Sequence, residues 1–320
     1  MSVDPLSDVL QVVRLNGAFF YAVEATEPWS VEAVAATELT PRILPGSEHL
    51  ISYHILTSGH CWGGLIGRPQ VEMQSGDVIV FPHGEPHMMS SAPGQRVLPI
   101  RLGAVPGRYP DTVVLGEGDD PRATLVCGFL GCDRRPYNPL LATLPSQIHL
   151  RGLPEGWLRT FAHQVVAESR AKRAGAESIL KRLAELMFVE VLRRYIEVLP
   201  AEQSGWLAGL RDEFVARSLA LMHGRPAHPW TIGEMASQVG LSRSSLAARF
   251  ADVVGQSPMQ YLAQWRMQLA AGMLTSGGAK VSTIALRVGY DSEAAFSRAF
   301  KRHVGMAPAD WRKAHAALEP

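Results

Sequence analysis

Residues 232–261, IGEMASQVGLSRSSLAARFADVVGQSPMQY, are followed by a second copy of the same pattern in residues 281–311, VSTIALRVGYDSEAAFSRAFKRHVGMAPADW. Ile232, Ala236, Val239, Gly240, Leu241 and Ser242 recur as Val281, Ala285, Val288, Gly289, Tyr290 and Asp291 at an offset of 49. Beyond the turn, Leu246, Phe250, Gly255, Pro258 and Tyr261 recur as Phe296, Phe300, Gly305, Pro308 and Trp311 at an offset of 50, so one residue has been added before the second helix. Each copy reads as a helix-turn-helix. A small residue, Ala236 or Ala285, stands where the partner helix crosses, and Gly240 or Gly289 ends the first helix in a conformation open to positive φ. Ser242 and Asp291 are the expected N-caps of the second helices, whose apolar residues lie four apart and line the inner face. The opposite face of such a helix can enter a DNA major groove.

Between the copies, Pro258 to Leu274 reads as one helix opened by a proline whose missing N–H costs nothing at that position. At 1.5 Å per residue it spans roughly 25 Å, enough to hold two reading helices about one DNA turn, ~34 Å, apart.

Charge follows the same division. The whole chain has 320 residues, 31 Lys and Arg against 30 Asp and Glu, and a net charge of +1. From Trp206 onward there are 13 basic and 8 acidic residues, a net of +5; the rest holds 18 against 22, a net of −4. A basic C-terminal module on a mildly acidic partner fits a polyanion met by the C-terminal part alone. With 47% hydrophobic and 19% charged residues the chain is globular. No run approaches the ~18–20 apolar residues of a membrane span, and MSVDPLSDVL is no secretion signal, so a cytoplasmic protein is expected. Cys61, Cys127 and Cys132 form no CxxC pair and no disulfide framework, and structural thiols are expected.

The first 150 residues are rich in Gly and Pro, with short apolar runs at Ile51 to Leu56, Val78 to Phe81 and Thr124 to Leu130. Such spacing predicts an all-β sandwich or barrel. After Pro154, Trp157, Phe161, Val165 and Val166 repeat at helical spacing, and Glu177 to Val198 runs without Gly or Pro, which predicts two helices. In the second, Ile179, Leu180, Leu183, Leu186, Met187, Val191, Leu192, Tyr195 and Ile196 make a wide apolar face. It covers the barrel or its neighbouring helix, or forms part of a subunit interface.

The C-terminal ~115 residues resemble the DNA-binding domain of the AraC/XylS family of bacterial transcription regulators. The resemblance is carried by Val281 to Tyr290, Asp291 to Arg302 and the ending Gly305, Pro308, Trp311 and Arg312. It implies two helix-turn-helix units on a linker helix that bind adjacent major-groove segments of double-stranded DNA, as a homodimer and usually to activate transcription with RNA polymerase. It places Ser244, Ala247 and Ala248 at base-facing positions of the first reading helix. By side-chain direction, Arg243, Ser244 and Arg249 serve mainly phosphates, the two alanines offer only apolar contact to thymine methyls, and Ser245 is a further DNA-binding candidate on this helix. In the second reading helix Glu293, Ala294, Ser297 and Arg298 face outward. Arg298 suits guanine, Glu293 suits cytosine, and Lys301 and Arg302 sit near the phosphate backbone.

In the β-rich part, Gly76, Pro82, Gly84 and His87 fit the second motif of a cupin barrel up to its histidine, without the H-x-H pair and the Glu of metal-dependent cupins. Tyr53-His54, Gly59, Cys61-Trp62, Gly76-Asp77, Pro82-His83-Gly84 and His87 resemble the cupin-type sensor of one AraC subgroup, as do Cys127-Gly128-Phe129 and Asn138 to Pro145. His54, Cys61, His83 and His87 are the candidates for an effector or for zinc or another transition metal. A redox effector acting through Cys61, or through Cys127 with Cys132, is a further possibility. The expected fold is therefore two-domain, with an N-terminal all-β cupin-like barrel followed by helices and a C-terminal all-α double helix-turn-helix. The expected boundaries are 1–150 for the sensor barrel, 151–205 for a helical linker or dimerisation segment, and 206–320 for the DNA-binding domain. The expected function is a regulator near the bacterial nucleoid, not an enzyme, controlled by a small-molecule, metal or redox effector. The rival is a cupin-type metalloenzyme with a helical appendage, which leaves the C-terminal repeat unexplained.

Overall fold

A computed structural model describes residues 4–13, 15–45, 47–95, 100–101, 112–117, 122–133, 137–152, 155–171, 173–200 and 202–315. In chain order the elements are α1 (Pro5–Val12), β1 (Leu15–Ala25), β2 (Ser30–Ala33), α2 (Ala36–Ile43), β3 (His49–Ser58), β4 (His60–Leu65), β5 (Val71–Gln74) and β6 (Val78–Phe81). They continue as β7 (His87–Ser90), β8 (Ile100–Arg101), β9 (Thr112–Leu115), β10 (Ala123–Cys132), α3 (Pro139–Thr143), β11 (Ile148–Leu150), α4 (Glu155–Ala171) and α5 (Ala176–Val198). The C-terminal helices are α6 (Trp206–Gly209), α7 (Glu213–Gly224), α8 (Ile232–Val239), α9 (Arg243–Val254), α10 (Pro258–Thr275), α11 (Val281–Arg287), α12 (Glu293–Val304) and α13 (Pro308–His315).

The chain forms two compact units, residues 15–133 with 144–197, and residues 1–14 with 134–143 and 198–320. These units differ from the linear boundaries 1–150, 151–205 and 206–320, because α1 and α3 join the C-terminal helices. Burial of Pro5, Leu6 and Val9 gives α1 its reason to pack there. Pro154 and the side chain of Trp157 lie outside the described residues.

In the β unit a six-stranded sheet, ordered β11-β6-β3-β10-β1-β9, and a five-stranded sheet, β5-β4-β7-β2-β8, share one apolar core. Tyr21, Ile79, Leu125 and Phe129 enter it from the first sheet, and Val31, Cys61, Met73 and Met89 from the second. The run Val78–Phe81 is buried at every position, as a strand enclosed on both faces must be. Helix α4 lays Phe161 against Phe20, with ring centroids 6.5 Å apart, and Phe20 meets Tyr53 at 5.9 Å. The apolar face of α5 is divided. Met187, Val191 and Leu192 are buried, whereas Ile179 and Leu186 are 41% and 50% exposed.

The helical unit follows the sequence repeat. Leu246, Phe250, Phe296 and Phe300 are all fully buried, and Ala236 and Ala285 are buried at the helix crossings. Gly240 and Gly289 have φ of +84° and +85°, the left-handed turn that glycine adopts without a Cβ clash. Ser242 caps α9 by accepting from the Ser245 N–H, as expected. In the second copy the cap is Ser292, which accepts from the Ala295 N–H, and not Asp291. The added residue explains this correction, since Ser292 is the offset-50 counterpart of Ser242. The linker helix α10 opens with a full capping box between Ser257 and Gln260.

Candidate functional site

Both reading helices present their N-terminal halves outward. On α9, Arg243, Ser244, Ser245, Ala248 and Arg249 are exposed and Ala247 is half-buried. The Ser242 hydroxyl lies 3.1 Å from that of Ser244 and 2.8 Å from that of Ser245, so these serines bind one another at the helix start. Arg243 lies against α8, where a Cβ added to Gly233 would come within 2.6 Å of its Nε. Arg249 has a partner within the protein. Its Nε donates to both carboxylate oxygens of Asp212, at 3.0 and 2.8 Å, and its Nη2 lies 2.8 Å from Oδ2. Because Asp212 also caps α7 through the N–H groups of Phe214 and Val215, Arg249 ties α9 to the start of α7. The side chain stays 47% exposed, so this ion pair competes with the phosphate role expected for Arg249.

On α12, Glu293, Ala294, Arg298, Lys301 and Arg302 are exposed and Ser297 is half-buried. Among the described residues the side chains of Arg298 and Lys301 make no hydrogen bond or ion pair. Lys301 and Arg302 occupy the last turn, where the helix dipole favours cations, beside His303, whose pKa is lowered by desolvation and by Arg302. This is the stronger positive edge of the two.

Inside the β unit, a different polar group assembles from the one expected. His54 on β3 stands directly opposite Cys127 on β10 in the strand register. Its Nδ1 is 2.9 Å from the Cys127 sulfur, and its Nε2 is 2.8 Å from Nε2 of His87, which reaches across from β7 of the other sheet. His87 Nδ1 lies 2.9 Å from the Glu85 carbonyl, and its ring stacks on Phe81 at 4.0 Å. A carbonyl only accepts, so Nδ1 of His87 carries the proton. Burial lowers the pKa of both rings, to about 4 for His87 and well below the usual value for His54, and keeps them neutral. Nε2 of His87 therefore accepts from Nε2–H of His54, and Nδ1 of His54 accepts from the Cys127 thiol.

The expected set of His54, Cys61 and His87 is not brought together. Cys61 is buried on β4, and burial pushes its thiol up to about 12. His83 turns away and meets the Leu144 carbonyl at 2.9 Å, shaping the turn. Among the described residues no group of three or more His, Cys, Asp or Glu is placed to hold a metal ion. All three cysteines are buried free thiols whose pKa values burial raises, so the reactive thiolate is disfavoured. Beside the histidine pair lies a cavity of about 10 Å³, the room of roughly one water. It is lined by Tyr21, His54 and Cys127 with Val23, Trp29, Val31, Met89, Val113, Leu115 and Leu125, and its wall is almost wholly apolar. Cys127, unnoticed as a partner of His54, could be found from sequence only by knowing the β3–β10 register.

Comparison with known proteins agrees with both halves. The cupin family model matches residues 4–197, and a helix-turn-helix domain model matches residues 235–314. An AraC-like transcription regulator of Streptomyces lividans is 34% identical over 315 residues, covering 97% of this chain and 98% of its own. The HTH-type transcriptional regulator AlkR of Acinetobacter baylyi is 29% identical over 319 residues, covering 97% and 99%. The crystal structure of the DNA-binding domain of AdpA in complex with a target DNA is 28% identical over 34% of this chain and 97% of that one, with a TM-score of 0.33. With a cupin match over residues 4–197, more than half of the chain, and a relative 34% identical along nearly the whole chain, this protein belongs to the AraC-like transcription regulators, DNA-binding proteins with a helix-turn-helix reader and an N-terminal cupin domain.

Proposed function

We propose that this regulator reads two adjacent major-groove segments with α9 and α12 and is controlled by a small effector bound inside the β unit. The observation that carries the first part is the duplicated geometry: two serine-capped helices with buried inner faces and outward N-terminal halves. Arg298 supplies base readout and Lys301 and Arg302 supply phosphate contact, while α9 contributes Ser244 and the methyl groups of Ala247 and Ala248. Replacing Arg298 by Ala is expected to weaken specific binding by about 1–3 kcal/mol. Arg249→Ala is expected to lower the melting temperature more than the affinity, because Arg249 serves Asp212. Fluorescence anisotropy on the protein's own upstream DNA checks the pair; equal affinity loss in both variants would overturn the division of roles.

The effector reading rests on the cavity lined by Tyr21, His54 and Cys127 together with apolar side chains. Among the described residues no charged side chain lines it and its wall is almost wholly apolar, which selects a small, uncharged, apolar molecule. Met89, flexible and on the cavity wall, is the side chain that yields to admit it. Small ethers and ketones are expected to raise the melting temperature of the wild type and not of Val113→Ile, whose added methylene takes up the space of about one water. Stabilisation by carboxylates or sugars in their place would overturn the ligand class. The protein works in the cytoplasm at the nucleoid, as a homodimer through the exposed part of the α5 face at Ile179 and Leu186, with RNA polymerase as partner where it activates. Among the described residues no helix is long and apolar enough to cross a membrane. A regulatory role without catalysis fits a barrel whose histidines and thiol bind one another.

A further inference from the structure

The two helix-turn-helix copies have separate cores. Met235, Leu246 and Phe250 are buried in the first, and Ile284, Phe296, Phe300 and Trp311 cluster in the second. Helix α10 runs between them, and on it one side chain holds backbone from both copies. Arg266 Nε donates to the Pro226 carbonyl at 2.7 Å and its Nη2 to the His228 carbonyl at 2.8 Å, both in the loop that precedes α8. Its Nη1 donates to the Gly289 carbonyl at 3.3 Å, in the turn that leads to α12.

Each end of this staple is stiff. In the loop, the Trp230 indole donates to the Arg225 carbonyl at 3.1 Å, the Arg225 guanidinium sits 4.5 Å over the Trp230 ring, and His228 pairs with Glu234 at 2.8 Å. At the turn, Gly289 approaches so closely that an added Cβ would lie 2.7 Å from the Ala227 carbonyl oxygen and 2.8 Å from Arg266 Nη2. The turn of the second copy thus rests on the loop of the first with the guanidinium between them. A planar fork of five N–H donors can hold three carbonyls at once, which a lysine ammonium cannot match in fixed geometry. The half-buried guanidinium is committed to protein carbonyls, so Arg266 is not a phosphate contact.

We propose that Arg266 is a positioning residue that fixes the distance and rotation between α9 and α12 and so makes the protein selective for the spacing of the two DNA segments it reads. The proposal rests on the reading of α9 and α12 as the DNA-contacting helices. Inserting one base pair between the segments rotates one against the other by about 35° and moves it by about 3.4 Å. A stapled reader cannot follow that change, whereas a released one can swing about α10.

The test uses the full chain and duplexes selected by the wild type from random-sequence DNA. Wild type, Arg266→Lys and Arg266→Ala are compared on the selected duplex, on the same duplex with one base pair inserted or removed between the segments, and on duplexes with either segment scrambled. Wild type is expected to lose roughly tenfold or more on the respaced duplexes. Arg266→Ala is expected to bind the selected duplex several-fold more weakly, to lose little more on respacing, and to match wild type on each scrambled duplex. Arg266→Lys should fall between them, which guards against a general folding defect in the alanine variant, and melting temperatures accompany every measurement. An unchanged spacing penalty in both variants, or an equal loss on scrambled duplexes, overturns the role of Arg266 alone. If wild type selects no duplex, the reading of α9 and α12 fails and this inference with it.

Discussion

Phe300→Ala is expected to destabilise the second helix-turn-helix severely and to weaken DNA binding while leaving the β unit unaffected. The ring is fully buried, 5.5 Å from Phe296 and 6.1 Å from Trp311, in a core that also holds Ile284, Ala285 and Leu274. Removing a buried phenyl group costs about 3–5 kcal/mol, because the transfer energy is lost and the cavity only partly collapses. Small domains have only ~5–15 kcal/mol in total, so the loss takes up a large part of the stability of this half. The β unit has its own core, built from different residues, and receives none of this penalty. Calorimetry should show one transition moved down by at least about 10 °C, with the other unmoved. Hydrogen exchange in peptides covering α11 to α13 would rise, and exchange in β3 and β10 would not. A single transition that shifts as a whole would show that the two cores do not fold as separate units.

How much of this was legible in the sequence depends on how local each cause is. The repeat revealed both helix-turn-helix copies because their caps, turns and four-residue apolar spacing lie within about 30 residues of each other. The error at Asp291 came from aligning the cap with the turn; the added residue moves it to Ser292. The run Val78–Phe81 identified its strand because a fully enclosed strand is apolar throughout. Long-range pairings left no such trace. Arg249 meets Asp212 across 37 residues, and the exposed charge of α9 looked free until the fold supplied its partner. Likewise, α1 carries only Pro5, Leu6 and Val9 as a buried face, too short a pattern to show that it belongs with the C-terminal helices. In the barrel, the histidines were visible, but their partner was misassigned. Cys61 is nearer in sequence, yet strand register places Cys127 opposite His54 from 73 residues away. A shift of one residue in that register would have turned Cys127 to the other face.

The same buried chain gives the β unit a steep response to acid. In the folded barrel, burial holds the His87 pKa down at about 4, and that of His54 is lowered by burial and by His87. An unfolded histidine titrates near 6.5, so below that pH the unfolded chain binds protons that the folded barrel refuses. The contribution is complete above pH 6.5, falls as the pH drops, and levels off once His87 itself protonates near pH 4. At about 1.4 kcal/mol per pH unit, His87 alone accounts for a loss of about 3 kcal/mol over that interval, and His54 acts in the same direction. Geometry explains why protonation is resisted. A proton on His87 Nε2 would point at the N–H of His54 only 2.8 Å away, and the chain that ends on the Glu85 carbonyl would reverse or break. Urea unfolding followed by hydrogen exchange in β3 and β7 should therefore show the barrel weakening already from pH 6.5 to about pH 5.5, above the range where ordinary carboxylates titrate. His87→Gln removes one of the two titrating rings and is expected to reduce the slope by about half. If barrel stability is flat between pH 7 and about pH 5.5 in the wild type, the histidine pair is not held neutral by burial, and the donor order assigned from Glu85 to Cys127 is wrong.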